Sequence, residues 1–302
     1  MIMTNRTEYE VTSCTERTGD MPKIQGTRSR IEHEASSAML FMMNTALITG
    51  ASGGLGEEFA RLCAADGNDL VLVARSKEKL EALGKELEGK HRIRVTVLSH
   101  DLSLPDAVRK LTLELKEKNI EVEILINNAG FGAYGLFHTT SYDQEKNLIA
   151  VNIAALTELT KSLVPMMVKR GSGKILDIAS TAAFQPGPLM AVYYASKAYV
   201  MHFSLALSEE LKGTGVTVTC LCPGPTKTGF EVNANLENSR LFRLGSMDAA
   251  TVATIGYSAM KSGRPLIVAG LRNRIGAFMT RLVPKILAAK IAKSVQSPKS
   301  QQ

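Results

Sequence analysis

Asn44-Thr45-Ala46-Leu47-Ile48-Thr49-Gly50-Ala51-Ser52-Gly53-Gly54-Leu55-Gly56 decides the fold. Its first part, Asn44 to Ile48, has the length and apolar character of a strand covered on both faces. A glycine turn follows, and helical periodicity runs from Gly54 to Ala65. Strand, glycine turn and helix in that order can cradle a phosphate. Glycines let the backbone approach an anion, and the first N–H groups of the helix and its dipole favour negative charge. Alone, the same glycines also fit a plain tight turn.

Outward from this stretch the alternation repeats. Strand character recurs at Asp69 to Ala74, Ile93 to Leu98, Glu121 to Ile126, Lys174 to Ala179 and Val216 to Leu221. Helical patterns lie between, at 76–88, 104–118, 142–169 (with a kink expected at Pro165) and from Val192 to about Lys212. Six strands with intervening helices describe an α/β protein, a single doubly wound parallel sheet of the Rossmann type with helices on both faces. A helix at 247–261 and a last strand at Pro265 to Ala269 complete it. No composition break marks a second domain. The expected organisation is a leader over 1–42, one α/β domain over 43–270 and a basic amphipathic extension over 271–302.

The leader is rich in Thr, Ser, Glu and Arg, lacks apolar periodicity and carries acids where a secretory signal needs bases. Met42 and Met43 directly precede the first strand, so a start there is an expectation that an N-terminal mass measurement tests. The four cysteines, Cys14, Cys63, Cys220 and Cys222, form no metal or disulfide framework, and the five histidines are scattered. Cys220 and Cys222 alternate within a strand and read as small buried hydrophobes. The expectation is no metal and a reduced, cytoplasmic compartment. Net charge is +7, yet from Ala249 onward there are nine Lys and Arg and no Asp or Glu. The excess therefore sits in the tail, which argues against a nucleic-acid partner. No unbroken run reaches the ~18 to 20 apolar residues of a membrane span.

Three features carry chemistry. Tyr193 and Lys197 are four apart on one helical face, where a cation favours the phenolate and draws its pKa from ~10 toward the working range. Ser180 follows a strand, and strand C-termini are where α/β sheets place ligands. Arg75 ends the second strand, where dinucleotide folds often put an acid on the ribose 2′-hydroxyl; an arginine there suits a 2′-phosphate, hence NADPH over NADH. Each alone has a bland reading, a surface helix or a solvated arginine.

Together these residues resemble the classical short-chain dehydrogenase/reductase family over about residues 43–270. Its Thr-Gly-x-x-x-Gly-x-Gly signature is Thr49 to Gly56, implying cofactor contacts at Gly50, Ser52, Gly54, Leu55 and Gly56. Its Asn-Asn-Ala-Gly is Asn127 to Gly130, with Asn128, Ala129 and Gly130 at the cofactor. Asp101 and Leu102 match the adenine side; Pro223, Gly224 and Thr226 match the nicotinamide turn. The family's catalytic set maps to Asn152, Ser180, Tyr193 and Lys197. Gly53 stands at the family's other phosphate-reading position, so NADP preference rests on Arg75. The three-residue gap after Gly50 and the single domain argue against the sugar-epimerase relatives.

The resemblance implies hydride transfer between NADP(H) and a carbonyl or alcohol. Tyr193 is the acid or base, Ser180 binds the reacting oxygen, Lys197 holds the ribose and lowers the tyrosine pKa, and Asn152 keeps a proton path. A homodimer or homotetramer is implied in the same way. A non-catalytic NADP-binding regulator is the alternative from another class. Phe131, Tyr134, Phe137, Phe230, Leu241, Phe242 and Leu244 suggest an apolar or acyl-type substrate. In the tail, Ile275, Phe278, Leu282, Ile286 and Leu287 share one face, and Pro284 divides the segment into two short helices. Packing of that face on the core or a partner subunit is expected. Docking on anionic membrane, to serve lipid-like substrates, is the alternative.

Overall fold

The structure, a computed structural model, describes residues 44–229 and 245–297. The leader and most of the expected covering loop, with Phe230, Leu241, Phe242 and Leu244, lie outside the described residues. The chain order is β1 (Thr45–Thr49), α1 (Gly54–Ala65), β2 (Asp69–Ala74), α2 (Lys77–Lys90), β3 (Val95–Ser99), α3 (Ala107–Glu117) and β4 (Val122–Asn127). Then come α4 (Tyr142–Ile149), a π-helical segment (Ala150–Ala155), α5 (Leu156–Arg170), β5 (Gly173–Ile178), α6 (Ala191–Glu210) and β6 (Val216–Cys222). After the short pair β7 (Thr226–Lys227) and β8 (Met247–Asp248) follow α7 (Ala249–Lys261), β9 (Leu266–Val268), α8 (Leu271–Met279) and α9 (Lys285–Gln296).

The main sheet has the order β3-β2-β1-β4-β5-β6-β9 with every pairing parallel. Strand alternation explains its two cores. From β1, Ala46 and Ile48 enter a cluster with Phe59 of α1, Leu80 of α2 and Val252 of α7, while Leu47 enters the opposite one with Leu111 of α3 and Leu159 of α5. A strand so covered must be apolar at consecutive positions, and Ala46, Leu47 and Ile48 are. Order reverses between β1 and β4, so the chain leaves their C-terminal ends in opposite directions and opens a crevice there.

Two expectations are corrected. In the long helix the irregularity falls at the π-helical turn Ala150–Ala155, and α5 runs through Pro165. That turn carries Asn152, and such single turns often mark functional sites. The continuous stretch Tyr142–Arg170 is also, by length and composition, able to cross a bilayer. Counting only unbroken apolar runs hid this. One apolar stripe (Leu148, Ala155, Leu159, Leu163 and Met167) is buried in this fold while Ile149, Met166 and Val168 are exposed, the pattern of a helix packed by one face.

Candidate active site

The cofactor end of the site is built from backbone. Asn128 ties the ends of β1 and β4 together. Its amide donates to the carbonyls of Thr49 and Gly50 at 3.0 and 3.1 Å, while the N–H groups of Asn128 and Ala129 donate to Thr49 Oγ1 at 3.1 and 3.0 Å. Gly50 sits at φ +67°, and a Cβ there would meet Ala129 Cα at 2.9 Å. A Cβ on Gly56 would overlap the Gly50 carbonyl oxygen. Gly56 thus shapes the turn from behind and does not line the cleft. The N-cap of α1 is Gly53, which carries no side chain, and the first turn of the helix lies at the wall formed by Gly53, Gly54 and Leu55.

These residues line one cleft of about 1150 Å³ with Ser52, Arg75, Asp101, Leu102, Ala129, Gly130, Ser180, Tyr193, Lys197, Pro223, Gly224 and Thr226. At its outer end Arg75 is joined by Ser76 and Lys79 from the start of α2. Lys79 is a second cation that strand-end reasoning missed. The signal was in Arg75-Ser76-Lys77-Glu78-Lys79, since a helix beginning after Ser76 brings its first turn over the end of its own strand. Asp101 faces the same region. Burial pushes its carboxyl up, but hydrogen bonds from Ser103 and the Arg75 charge outweigh this and hold it below its ordinary value.

At the inner end Lys197 is buried and its Nζ donates to the Ile178 carbonyl at 2.8 Å. Ser180 lies beside Tyr193 and acts to lower its phenol. Burial pushes the Tyr193 phenol up to about 12 against that influence. Burial also pulls the Lys197 ammonium down to about 8, against the opposing influence of Cys220, Cys222 and Asp177. The expected lowering of Tyr193 by Lys197 is therefore not what the geometry gives. The ammonium lies 5.9 Å from the ring centroid, and desolvation is the largest cause of the phenol's shift.

Asn152 does not line the cleft. It is fully buried, with its oxygen accepting from the Phe131 N–H at 3.1 Å and its amide donating to the Phe131 carbonyl and Ser196 Oγ at 3.0 and 3.1 Å. It braces the turn after β4 against the helix bearing Tyr193. Of the aromatic residues after Asn128, Phe131 lines the cleft, Tyr134 is partly buried and Phe137 points to solvent.

The far wall was not anticipated. Met190 and Tyr194 stand beside Tyr193, and α8 contributes Arg272, Asn273, Gly276 and Ala277, with Thr280 just after it. The C-terminal helices are latched there. The Tyr134 hydroxyl donates to the Gln296 carbonyl at 2.9 Å, the Gln296 amide donates to the Tyr194 hydroxyl at 2.7 Å, and Lys285 donates to the Phe184 carbonyl at 3.0 Å. Only small residues, Ala277, Ala288 and Ala292, turn inward with Gln296. The expected packing of the large apolar face onto the core is reversed. Ile275, Phe278, Leu282, Ile286 and Leu287 are exposed.

A family model for short chain dehydrogenase matches residues 44–239, about two thirds of the sequence. The chain belongs to the short chain dehydrogenase family. Among its relatives, a very-long-chain 3-oxoacyl-CoA reductase of Pyricularia oryzae is 37% identical over 57% of this chain and 53% of that protein. The chain thus spans little more than half the length of that relative. The inactive hydroxysteroid dehydrogenase-like protein 1 of Homo sapiens is 34% identical over 72% of this chain and 67% of its own. A solved short-chain dehydrogenase from Sphingobium yanoikuyae, in complex with NADPH, superposes with a TM-score of 0.72 at 30% identity, covering 86% of this chain and 98% of its own.

Proposed function

We propose that this short-chain dehydrogenase is an NADPH-dependent reductase of apolar ketones, 3-oxoacyl thioesters foremost. One observation carries the reading. Ser180, Tyr193 and Lys197 share a cleft with the glycine-capped N-terminus of α1 and the cations Arg75 and Lys79. The cradle fits a dinucleotide, because side chains at Gly50 and Gly56 would fill it or spoil its turn. Arg75, Lys79 and Ser76 would hold a 2′-phosphate, Gly53 to Leu55 the pyrophosphate, and Lys197 the nicotinamide ribose. When bound, NADPH supplies a hydride for the carbonyl carbon.

The chain's own groups handle the oxygen. Ser180 and Tyr193 hydrogen-bond the carbonyl oxygen, and Tyr193 transfers its hydroxyl proton to it as negative charge develops. A phenol held near 12 is protonated at neutral pH, the state that reduction requires. Lys197, charged below about pH 8, stabilises the resulting tyrosinate. Asn152 keeps the Phe131 turn and α6 in register. Met190, Ala182 and Ala277 give the substrate side an apolar lining suited to an acyl chain. The thioester preference is supported by the relatives named as 3-oxoacyl-CoA reductases.

NADPH and NADH consumption against ketones, quinones and 3-oxoacyl thioesters tests the reading. Tyr193→Phe should lower kcat by about a hundredfold or more with NADPH affinity nearly unchanged. Residual turnover above about a tenth of wild type overturns the assignment of Tyr193. Tight NADPH binding with no turnover on any carbonyl would favour the non-catalytic reading.

A further inference from the structure

The outward face of α8 and α9 is left without a use by the chemistry above. Ile286 is 78% exposed, Leu271 70%, Leu282 65% and Phe278 58%. Single exposed apolar residues are ordinary, but a contiguous set on two consecutive helices is not. The exposed cations Arg274, Arg281, Lys290 and Lys293 are interspersed with them, and no acid occurs from Ala249 to the end of the chain.

We propose that this face docks on an anionic lipid surface. The inward positions are already taken by alanines and by the Gln296 latch, so folding alone cannot bury the large side chains. Pairing with the same face of a second copy would bring four cations against four, with no acid in either segment to neutralise them. A bilayer bearing anionic headgroups satisfies both halves of the pattern. Leu, Ile and Phe enter the boundary of the acyl chains, and the lysine and arginine stems reach back to the phosphates. The same α8 supplies the cleft wall through Gly276 and Ala277, so one helix joins the substrate side to the docking face.

The test is co-sedimentation of the full chain with vesicles of phosphatidylcholine alone or mixed with phosphatidylglycerol, at low and high salt. Binding is expected to the mixed vesicles only and to weaken as salt rises. Leu282→Glu with Ile286→Glu should abolish it, and Arg274→Ala and Lys290→Ala should each weaken it about fivefold. Both pairs are solvent-facing, so the melting temperature and NADPH binding should stay at wild-type values; the alanine pair serves if the glutamates impair folding. Wild-type protein left in the supernatant at low salt overturns the proposal. So does undiminished vesicle binding by the glutamate variant. If that variant instead dissociates an oligomer whose wild-type form ignores vesicles, the face belongs to a second copy and the lipid assignment fails.

Discussion

The two ends of the cleft handle charge in opposite ways. At the outer end Arg75 and Lys79 stand in solvent, and their attraction for an anion is open to screening by salt. At the inner end Lys197 and Asp177 are buried and Tyr193 partly so, and burial drives each toward its neutral form. The wet end can bind; the dry end can move a proton. What the contrast teaches is that the reactive end carries a stability cost that the binding end does not.

That cost can be removed at Asp177. Burial raises this carboxyl to about 6, although Asn127 and Ser204 donate to it at 2.8 Å each and Lys197 lies near enough to lower it. Because the folded pKa exceeds the unfolded one, the folded state holds the extra proton between about pH 4 and 6. Stability therefore falls as pH rises through that window. Asp177→Asn should abolish the slope and stabilise the fold at pH 7 by up to about 3 kcal/mol. An asparagine can be satisfied there. Its oxygen accepts from Asn127, and its amide donates to Ser204, whose proton then goes to the Val200 carbonyl at 2.6 Å. The substitution also removes a charge that raises Lys197, so the alkaline limb of kcat/KM for NADPH should move below about 8. Denaturant melts from pH 4 to 8 check the first expectation. An unchanged slope would mean that Asp177 does not titrate there.

At the wet end the effect is on one ligand. Arg75→Ala with Lys79→Ala should raise KM for NADPH by about tenfold or more and leave NADH within about twofold, since only the former carries a 2′-phosphate for them. The wild-type preference should also shrink with added salt, as exposed charges require. Equal losses for both cofactors would remove the 2′-phosphate role and erase the proposed difference between the ends.

How much of this was legible in the sequence follows the same division. Thr49 to Gly56 could be read because a backbone cradle admits few residue types: glycine where φ is positive or where a Cβ would strike a carbonyl. The alternating strands could be read because burial on both faces imposes runs such as Leu70-Val71-Leu72-Val73. The spacing of Tyr193 and Lys197 was visible, but its electrostatic outcome was not, since that depends on burial by residues distant in the chain. The tail shows the limit most clearly. Its periodicity correctly marked two helices and one apolar face, yet a pattern of faces does not say which face turns inward. That was settled by the small side chains Ala277, Ala288 and Ala292, which let the helices approach closely, and by a glutamine at position 296 whose partners, Tyr134 and Tyr194, lie more than a hundred residues away.

Gln296 gives the finest probe of the dry end. Its amide nitrogen binds Tyr194, next to the proposed acid, while its side-chain oxygen is buried without a partner among the described residues. Truncation by Gln296→Ala loses one buried hydrogen bond, leaves the Tyr194 hydroxyl to find another partner, and frees the last turn of α9. A destabilisation of about 1 kcal/mol is expected, or a fall in Tm of about 2–4 °C for a domain of this size. If α8 and α9 form the substrate wall, KM for a long-chain ketone should rise severalfold while KM for NADPH stays constant, because the latch bonds end on Tyr134, Tyr194 and Phe184 and not on Gly50 to Leu55 or Arg75. A fall in Tm with both KM values unchanged would make the C-terminal helices a brace for the fold alone, and the apolar wall would then have to come from elsewhere in the cleft.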